Sequence, residues 1–411
     1  MAKNKNNIRK DFIWNALGLT LNTFNSLFFL IVVRYVNGID TAGIFTYAFA
    51  LCVFLYVFAL YYNRPFQVSD AKNKFSFNDY FTSRATTSLL SFIIIFIFTI
   101  INQFGVFESS VILLLSGFRI IEAISDCFYG AIQKKNKLYQ TGISLSLKAI
   151  FGLLAFSLID LFTKDLILAL IGLVIVNLLF FFIYDFKNFR KLYTERIKLD
   201  FIHLKPILKT CLSIAIFSTL AIYLSNCQKY ILPYYESNEI QAIFGILIMP
   251  ATVLSLAGTY LINPFISHFT NHHIQKEYKK YATSTKKIIA SMIGIGALAL
   301  IVCYFVGIPL LEFIFQLDLE IYKWPLQLII LASIFYATSL IISSLLTILG
   351  ENRRQSYAFF FASLIATITA ILLIPSLGIH GAIYSFLISN AILIILYLVL
   401  LQYKLHKVSK A

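Results

Sequence analysis

Charge is scarce in this sequence. Only 13% of its 411 residues are Asp, Glu, Lys or Arg, against about 25% in a typical soluble domain, and 59% are hydrophobic. Cysteine is sparse too. Cys52, Cys127, Cys211, Cys227 and Cys303 lie in or beside apolar stretches and never in CxxC spacing. That excludes a disulfide framework or thiolate metal centre and points to inert buried thiols. No cleavable signal peptide is evident: residues 1–10 are polar and basic, and no small-residue cleavage site follows the long first apolar run. What the chain does have is apolar blocks, such as residues 88–101, 166–184 and 358–374, and a mean hydropathy of +0.81. Each block approaches or exceeds the roughly 18–20 residues needed to cross a ~30 Å hydrocarbon core at 1.5 Å per residue. The chain therefore reads as an all-α polytopic membrane protein of about twelve transmembrane helices, not a soluble domain.

The expected spans are 12–36, 42–62, 85–104, 109–131, 141–160 and 166–185, then 207–232, 241–262, 286–308, 326–349, 357–374 and 382–402. The net charge of +15 follows this topology. Of 34 Lys and Arg, 28 fall in the terminus and loops on the N-terminal side, and the opposite side holds Lys164, Lys229 and Lys323. Arg34, Arg119 and Lys148 lie within spans. By the positive-inside rule both termini are cytoplasmic, so the basic charge is topological and no nucleic-acid partner is implied.

Outer loops are short, the longest being about residues 307–325, which speaks against a polymerase or ligase with a folded outer domain. Residues 191–206 read as a cytoplasmic linker between lobes 1–190 and 207–411. A repeat supports that division: Arg34-Tyr35-Val36 before Ala42-Gly43-Ile44-Phe45 matches Lys229-Tyr230-Ile231 before Gln241-Ala242-Ile243-Phe244. A second match pairs Ile124-Ser125 and Tyr139 with Ile342-Ser343 and Tyr357. Both copies run the same way, as in transporters built from parallel repeats.

Ions in hydrocarbon are costly, so intramembrane charges are functional candidates. Arg119, Glu122 and Asp126 share one face of span 4, at i, i+3 and i+7. Lys148 lies at a depth similar to Glu122, about 12–14 Å from the cytoplasmic end at 1.5 Å per residue, so the two are expected to pair or to line a wet, anion-receiving cavity. Arg34 and its repeat mate Lys229 sit near the outer ends of their spans, where they either snorkel or hold an anion. Asn15, Asn22 and Asn25 form a polar stripe facing a neighbour or a cavity. The second half offers only hydroxyls: Ser339, Ser343, Ser344, Ser363 and Thr367.

Three enzymatic or metal readings fail. His268 and His272 have i, i+4 spacing, but with His273 they lie in a basic loop without a supporting Glu or Cys cluster. Asp318-Leu319-Glu320 reads as a solvated turn, and Gly350-Glu351-Asn352-Arg353-Arg354 follows no strand. No metal and no cofactor are expected.

The sequence resembles the Wzx-type polysaccharide flippases of the multidrug/oligosaccharidyl-lipid/polysaccharide (MOP) exporter superfamily over nearly its whole length. The resemblance rests on Asn15-Ala16-Leu17-Gly18, Arg34-Tyr35-Val36-Asn37-Gly38, Ser125-Asp126-Cys127-Phe128-Tyr129-Gly130 with Gln133, and Ile374-Pro375-Ser376-Leu377-Gly378-Ile379-His380-Gly381-Ala382, in the family's order. It implies two parallel six-helix lobes around a central cavity, a cytoplasmic-membrane location and no enzymatic step. The implied substrate is an undecaprenyl-diphosphate-linked oligosaccharide moved to the outer leaflet for O-antigen or capsule synthesis. A polymerase and a chain-length regulator are the further partners implied. Arg34, Arg119, Lys148, Lys229, Asn22 and Asn25 would then meet diphosphate and glycan, and Glu122 or Asp126 would bind a coupling proton. A cation-coupled drug exporter of the same superfamily is the alternative, disfavoured by the number of in-span cations.

Overall fold

A computed structural model describes residues 5–70 and 73–409; residues 1–4, 71–72 and 410–411, part of the expected basic termini and of a basic loop, lie outside the described residues. Among the described residues there are helices and no strand. They begin with α1 (Lys5–Asn37), α2 (Ile39–Leu60), the short α3 (Asn63–Ser69), α4 (Phe77–Ile101), α5 (Val106–Lys134) and α6 (Leu138–Thr163). Next comes α7 (Leu166–Phe180), which runs through a π-helical turn (Phe181–Phe186) into α8 (Lys187–Arg190) and is followed by α9 (Leu204–Ile231). The chain continues with α10 (Asn238–Leu247), α11 (Met249–Ile262), α12 (Ile266–Ile274), α13 (Tyr278–Val302) and α14 (Ile308–Phe315). The last three are α15 (Lys323–Ile348), α16 (Asn352–Leu377) and α17 (Ile379–Ser409).

Among the described residues, eleven helical segments are long and apolar enough to cross a membrane. The twelfth expected span, α5, has 29 residues and falls short only in composition, because Arg119, Glu122 and Asp126 sit in its central turns. Protein surrounds it: α5 packs against α2, α4 and α7. The other helices show the pattern that lipid imposes, apolar outward and polar inward. On α4, Leu89, Ile93, Ile97 and Ile100 are exposed. The hydroxyls of Thr87 and Ser91 turn in to the carbonyls of Ala59 (2.7 Å) and Leu55 (3.3 Å) on α2. Without water, each such group must find a partner within the protein. Two expected spans are interrupted near prolines, which lack the N–H that continues a helix. One break separates α10 from α11 ahead of Pro250, and the other is the π turn Cys303–Gly307 ahead of Pro309.

The chain divides into two compact units, residues 1–219 and 220–411. This differs from the boundary expected at 191–206, and the reason is local bonding. Asn78 on α4 donates to the Arg196 carbonyl and accepts from the Lys198 N–H, both at 3.2 Å. Thr82 accepts from the Asp200 N–H at 2.7 Å, and His203 meets Asp79 at 3.1 Å. The start of α9 then buries Ile207 and Cys211 against Phe75, Tyr80 and Cys127. The expected linker is thus strapped to the first unit.

Within that unit α1 and α6 lie along a parallel seam. Asp11 accepts from the Tyr139 N–H (2.8 Å), Asn25 donates to the Ala149 carbonyl (3.1 Å), and Asn37 donates to both oxygens of Asp160 (2.9 and 2.7 Å). Between the first two, Gly18 and Gly142 let the backbones meet. A Cβ on Gly142 would lie 2.2 Å from the Trp14 carbonyl, and one on Gly18 would lie 2.5 Å from the Gly142 oxygen. Small residues at helix contacts in lipid permit this approach. Gly142→Ala is therefore expected to lower stability by about 1–3 kcal/mol, as over-packing does, read as a lower unfolding temperature in detergent. Gly294→Ala, where a Cβ meets nothing within 4 Å, is expected to leave it unchanged or slightly raised.

Candidate functional site

The charged residues gather on α5. Arg119 pairs with Glu122 one turn along its own helix (2.5 Å). Its guanidinium lies 4.8, 5.4 and 5.1 Å from the ring centroids of Phe49, Tyr56 and Phe118, an aromatic setting that stabilises a desolvated cation. Three residues beyond Glu122 the geometry changes partner. Ser125 accepts from the Lys148 ammonium (2.7 Å), and Lys148 pairs with Asp185 in the π turn (2.5 Å). Ser144 and Tyr129 add hydroxyl donors to Asp185, the latter at 3.3 Å.

The expected Glu122–Lys148 pair therefore does not form. Lys148 on α6 instead meets Ser125, one turn further along α5, and Asp185. Ser125 is about 60° around the helix from Glu122 at 100° per residue, and it is Ser125 that faces Lys148. The true partner, Asp185, was read as the last residue of an apolar span. Its only sequence signal is a carboxylate following the block 166–184. A π turn places it, and such turns recur at functional positions.

Asp126 forms the second cluster. It takes Arg64 on one oxygen and Arg84 on the other, each at 2.9 Å. Arg64 also donates to Gln133 through Nε (3.1 Å) and Nη2 (3.0 Å). The expected spans 42–62 and 85–104 leave both arginines in the intervening cytoplasmic loop. The capping box formed by Ser76 and Asp79 starts α4 at Phe77, eight residues before the expected start of span 3, and so carries Arg84 into the protein.

Burial separates these groups into two kinds. The side chains of Lys148, Asp185 and Arg84 are 5%, 1% and 0% exposed, whereas Arg119 and Arg64 keep 13% and 20%. The interior thus holds sealed ion pairs beside accessible ones. In these clusters four cations (Arg64, Arg84, Arg119, Lys148) meet three carboxylates (Glu122, Asp126, Asp185), while Asp11, Asp79 and Asp160 are buried elsewhere in the unit. Arg34 lies apart from them: it is half-buried, and its Nε has no hydrogen-bond partner among the described residues.

The remaining expected residues are scattered. Asn25 belongs to the α1–α6 seam, and Asn22 is half-buried on α1. Lys229 is half-buried on α9 in the second unit and has no ion pair among the described residues. In that unit the hydroxyls of Ser339 and Ser344 bond back to Phe335 and Leu340 of their own helix. Ser343 instead meets Gln355 (2.6 Å), and Thr367 meets Tyr223 (2.7 Å). His268 and His272 lie 2.9 Å apart through their Nε2 atoms, and Glu277, unforeseen, meets His272 Nδ1 at 2.8 Å. Hydrogen bonds from Lys280 and His272 hold the Glu277 carboxyl below the usual range. No group of three potential metal ligands occurs among the described residues.

No protein-family model matches the chain. It is similar to the capsular polysaccharide biosynthesis protein CapF of Staphylococcus aureus, 24% identical over 397 residues that cover 94% of this chain and 98% of that protein. Among solved structures, it resembles the lipid II flippase MurJ in an inward closed conformation, with a TM-score of 0.74 and 16% identity over 97% of this chain and 90% of that one. It also resembles an inward-facing multidrug resistance MATE family transporter of the MOP superfamily, with a TM-score of 0.63 and 14% identity over 100% and 96% of the two chains. The protein has the all-α, polytopic membrane fold of the MOP exporters.

Proposed function

Taking that exporter fold as premise, we propose that the protein is a flippase that moves an undecaprenyl-diphosphate-linked oligosaccharide from the cytoplasmic to the outer leaflet for capsule or related surface polysaccharide. It does so by alternating access in the cytoplasmic membrane, with both termini in the cytoplasm. The observation that carries this reading is a pair of guanidiniums in the first unit, Arg119 and Arg64, that stay accessible beside sealed ion pairs. A diphosphate is a compact dianion that must leave water, and guanidinium forks match its oxygens in charge and geometry. A drug cation would meet the wrong sign. The capsular relative supports the substrate class, since it matches the chain end to end.

Within this reading Arg119 is the primary phosphate ligand. Glu122 holds it at rest and releases it when the substrate's charge arrives, which leaves the carboxylate to take a coupling proton. Asp126 is less suited to that exchange, because two guanidiniums hold it. Arg34 supplies a second cation and Asn22 an amide for the glycan; Lys229 is a separate candidate cation of the second unit. Polymerase and chain-length regulator act downstream of the released product.

Two experiments bear on this. Deleting the gene is expected to accumulate complete lipid-linked repeat units on the cytoplasmic leaflet. Units found outside but unpolymerised would overturn the reading. Arg119→Ala is expected to reduce transport about 10- to 150-fold, the equivalent of losing one charged hydrogen bond of about 1.5–3 kcal/mol, with the protein still inserted. Wild-type polysaccharide in that variant would remove Arg119 from the site.

A further inference from the structure

A second feature of the first unit lies apart from the charged interior. At the end of the unit where α5 finishes and α4 begins, a cavity of about 660 Å³ opens, within the roughly 300–1,000 Å³ range of small-ligand sites. Its frame is well braced. Asp70 accepts the N–H groups of Lys74 and Phe75 (2.9 and 3.1 Å) and the Tyr80 hydroxyl (3.0 Å). Tyr193 stacks on Phe189, with centroids 4.9 Å apart and planes 10° apart, and donates to the Ala131 carbonyl at 3.2 Å.

The lining combines two chemistries. Phe77, Tyr80 and Tyr193 supply aromatic surface. Between them, Lys134 and Lys135 offer donors, Glu195 offers an acceptor, and Asn73 and Gln67 offer both. Gln67 is 3% exposed, and its Oε1 has no hydrogen-bond partner among the described residues. A buried carbonyl oxygen left in that state wants a donor.

Charge selects among ligands. A free phosphate or nucleotide calls for positive charge alone, but Glu195 lines the same cavity as the two lysines, and behind the lining the Asp70 charge acts on Lys134. Burial alone would raise the Asp70 carboxyl. Hydrogen bonds from Lys74, Phe75 and Tyr80 outweigh it, Lys134 adds its charge, and the group stays ionised below the ordinary range. The lining's two ammoniums thus stand with one carboxylate, and a second carboxylate, Asp70, lies behind them. An apolar lipid tail would leave all of these groups unpaired. A sugar ring fits, having apolar C–H faces for aromatic walls and a rim of hydroxyls that both donate and accept.

We propose that this cavity binds the saccharide part of the transported glycolipid on the cytoplasmic side, before translocation, as a glycan-loading site distinct from the phosphate-binding cations; this rests on the flippase reading. The sugar and the diphosphate of one substrate would then be held by different groups, and each can be tested alone.

The test uses the full-length protein in nanodiscs. The probe is the free oligosaccharide released by mild acid from the lipid-linked units of the deletion strain, and saturation-transfer NMR reads its binding. Wild type is expected to bind it. Tyr193→Ala and the exposed-side double variant Lys135→Ala/Glu195→Ala are expected to lose about tenfold in affinity, the scale of one or two hydrogen bonds. Arg119→Ala is expected to bind the free saccharide as wild type does. The double variant removes only surface groups, so it decides the matter if Tyr193→Ala fails to fold. Unchanged binding in the double variant, or competition by inorganic pyrophosphate at this cavity, overturns the proposal. So does a wild type that flips lipid-linked units in vesicles but does not bind the probe, and in that case the flippase reading stands. A wild type that binds sugar without flipping leaves the loading site without its substrate, and the flippase reading falls first.

Discussion

Asp126→Ala is expected to remove most of the folded protein from the membrane. The carboxylate stands between two guanidiniums, each 2.9 Å away, and one of them, Arg84, is wholly buried. Without it, Arg84 keeps a single 3.4 Å bond to the Ala59 carbonyl and faces a second cation. Breaking a buried ion pair costs about 3–5 kcal/mol, and the usual reserve is only about 5–15 kcal/mol. The measurement is the monodisperse fraction of a fluorescent fusion after mild solubilisation, expected to drop by most of its wild-type value. The companion Asp126→Ala/Arg84→Met, which removes the stranded charge as well, is expected to recover much of the loss. Wild-type yield in the single variant would mean that water or lipid headgroups reach Arg84.

Lys148→Ala is expected to be nearly as damaging, because it leaves Asp185 sealed without its cation, with only the Ser144 and Tyr129 hydroxyls for company. The same 3–5 kcal/mol scale applies. The informative variant is the double, Lys148→Met/Asp185→Leu, since replacing both members of a buried pair by apolar residues is often neutral. It is expected to restore folding and to retain polysaccharide export, as a sealed pair that holds α6 to the π turn would allow. A double variant that folds yet exports nothing would return Lys148 to the substrate site. This comparison also exposes the weakness of single alanine replacements here: loss of export alone cannot tell a broken fold from a missing ligand.

The span count was legible because it depends on the length and apolarity of runs, which the bilayer sets. That Lys148 would reach α5 was legible too, since it meets Ser125 one turn beyond Glu122. Azimuth was not. Which neighbour a side chain meets depends on the rotation and packing of each helix, and one turn of α5 separates a residue bound to Arg119 from one bound to Lys148. Helix starts were the other blind spot. Hydropathy places the start of α4 where its lipid-facing residues begin, while the capping box starts the helix earlier, inside protein, and Arg84 goes with it. Asp185 was hidden for a related reason: a polar residue at the end of an apolar run reads as the interface unless a π turn directs it inward.

The strapped segment before α9 changes what counts as a half of this protein. Residues 204–219 belong with the first unit and 220–231 with the second, so one continuous helix is shared property. A duplicated chain is often pictured as two modules on a string, free to be cut, exchanged or circularly rejoined at the string. Here the string is wall, and the seam runs through the middle of a helix. A fragment ending before residue 204 would leave the first unit without Ile207 and Cys211, whose apolar surface seals Phe75, Tyr80 and Cys127.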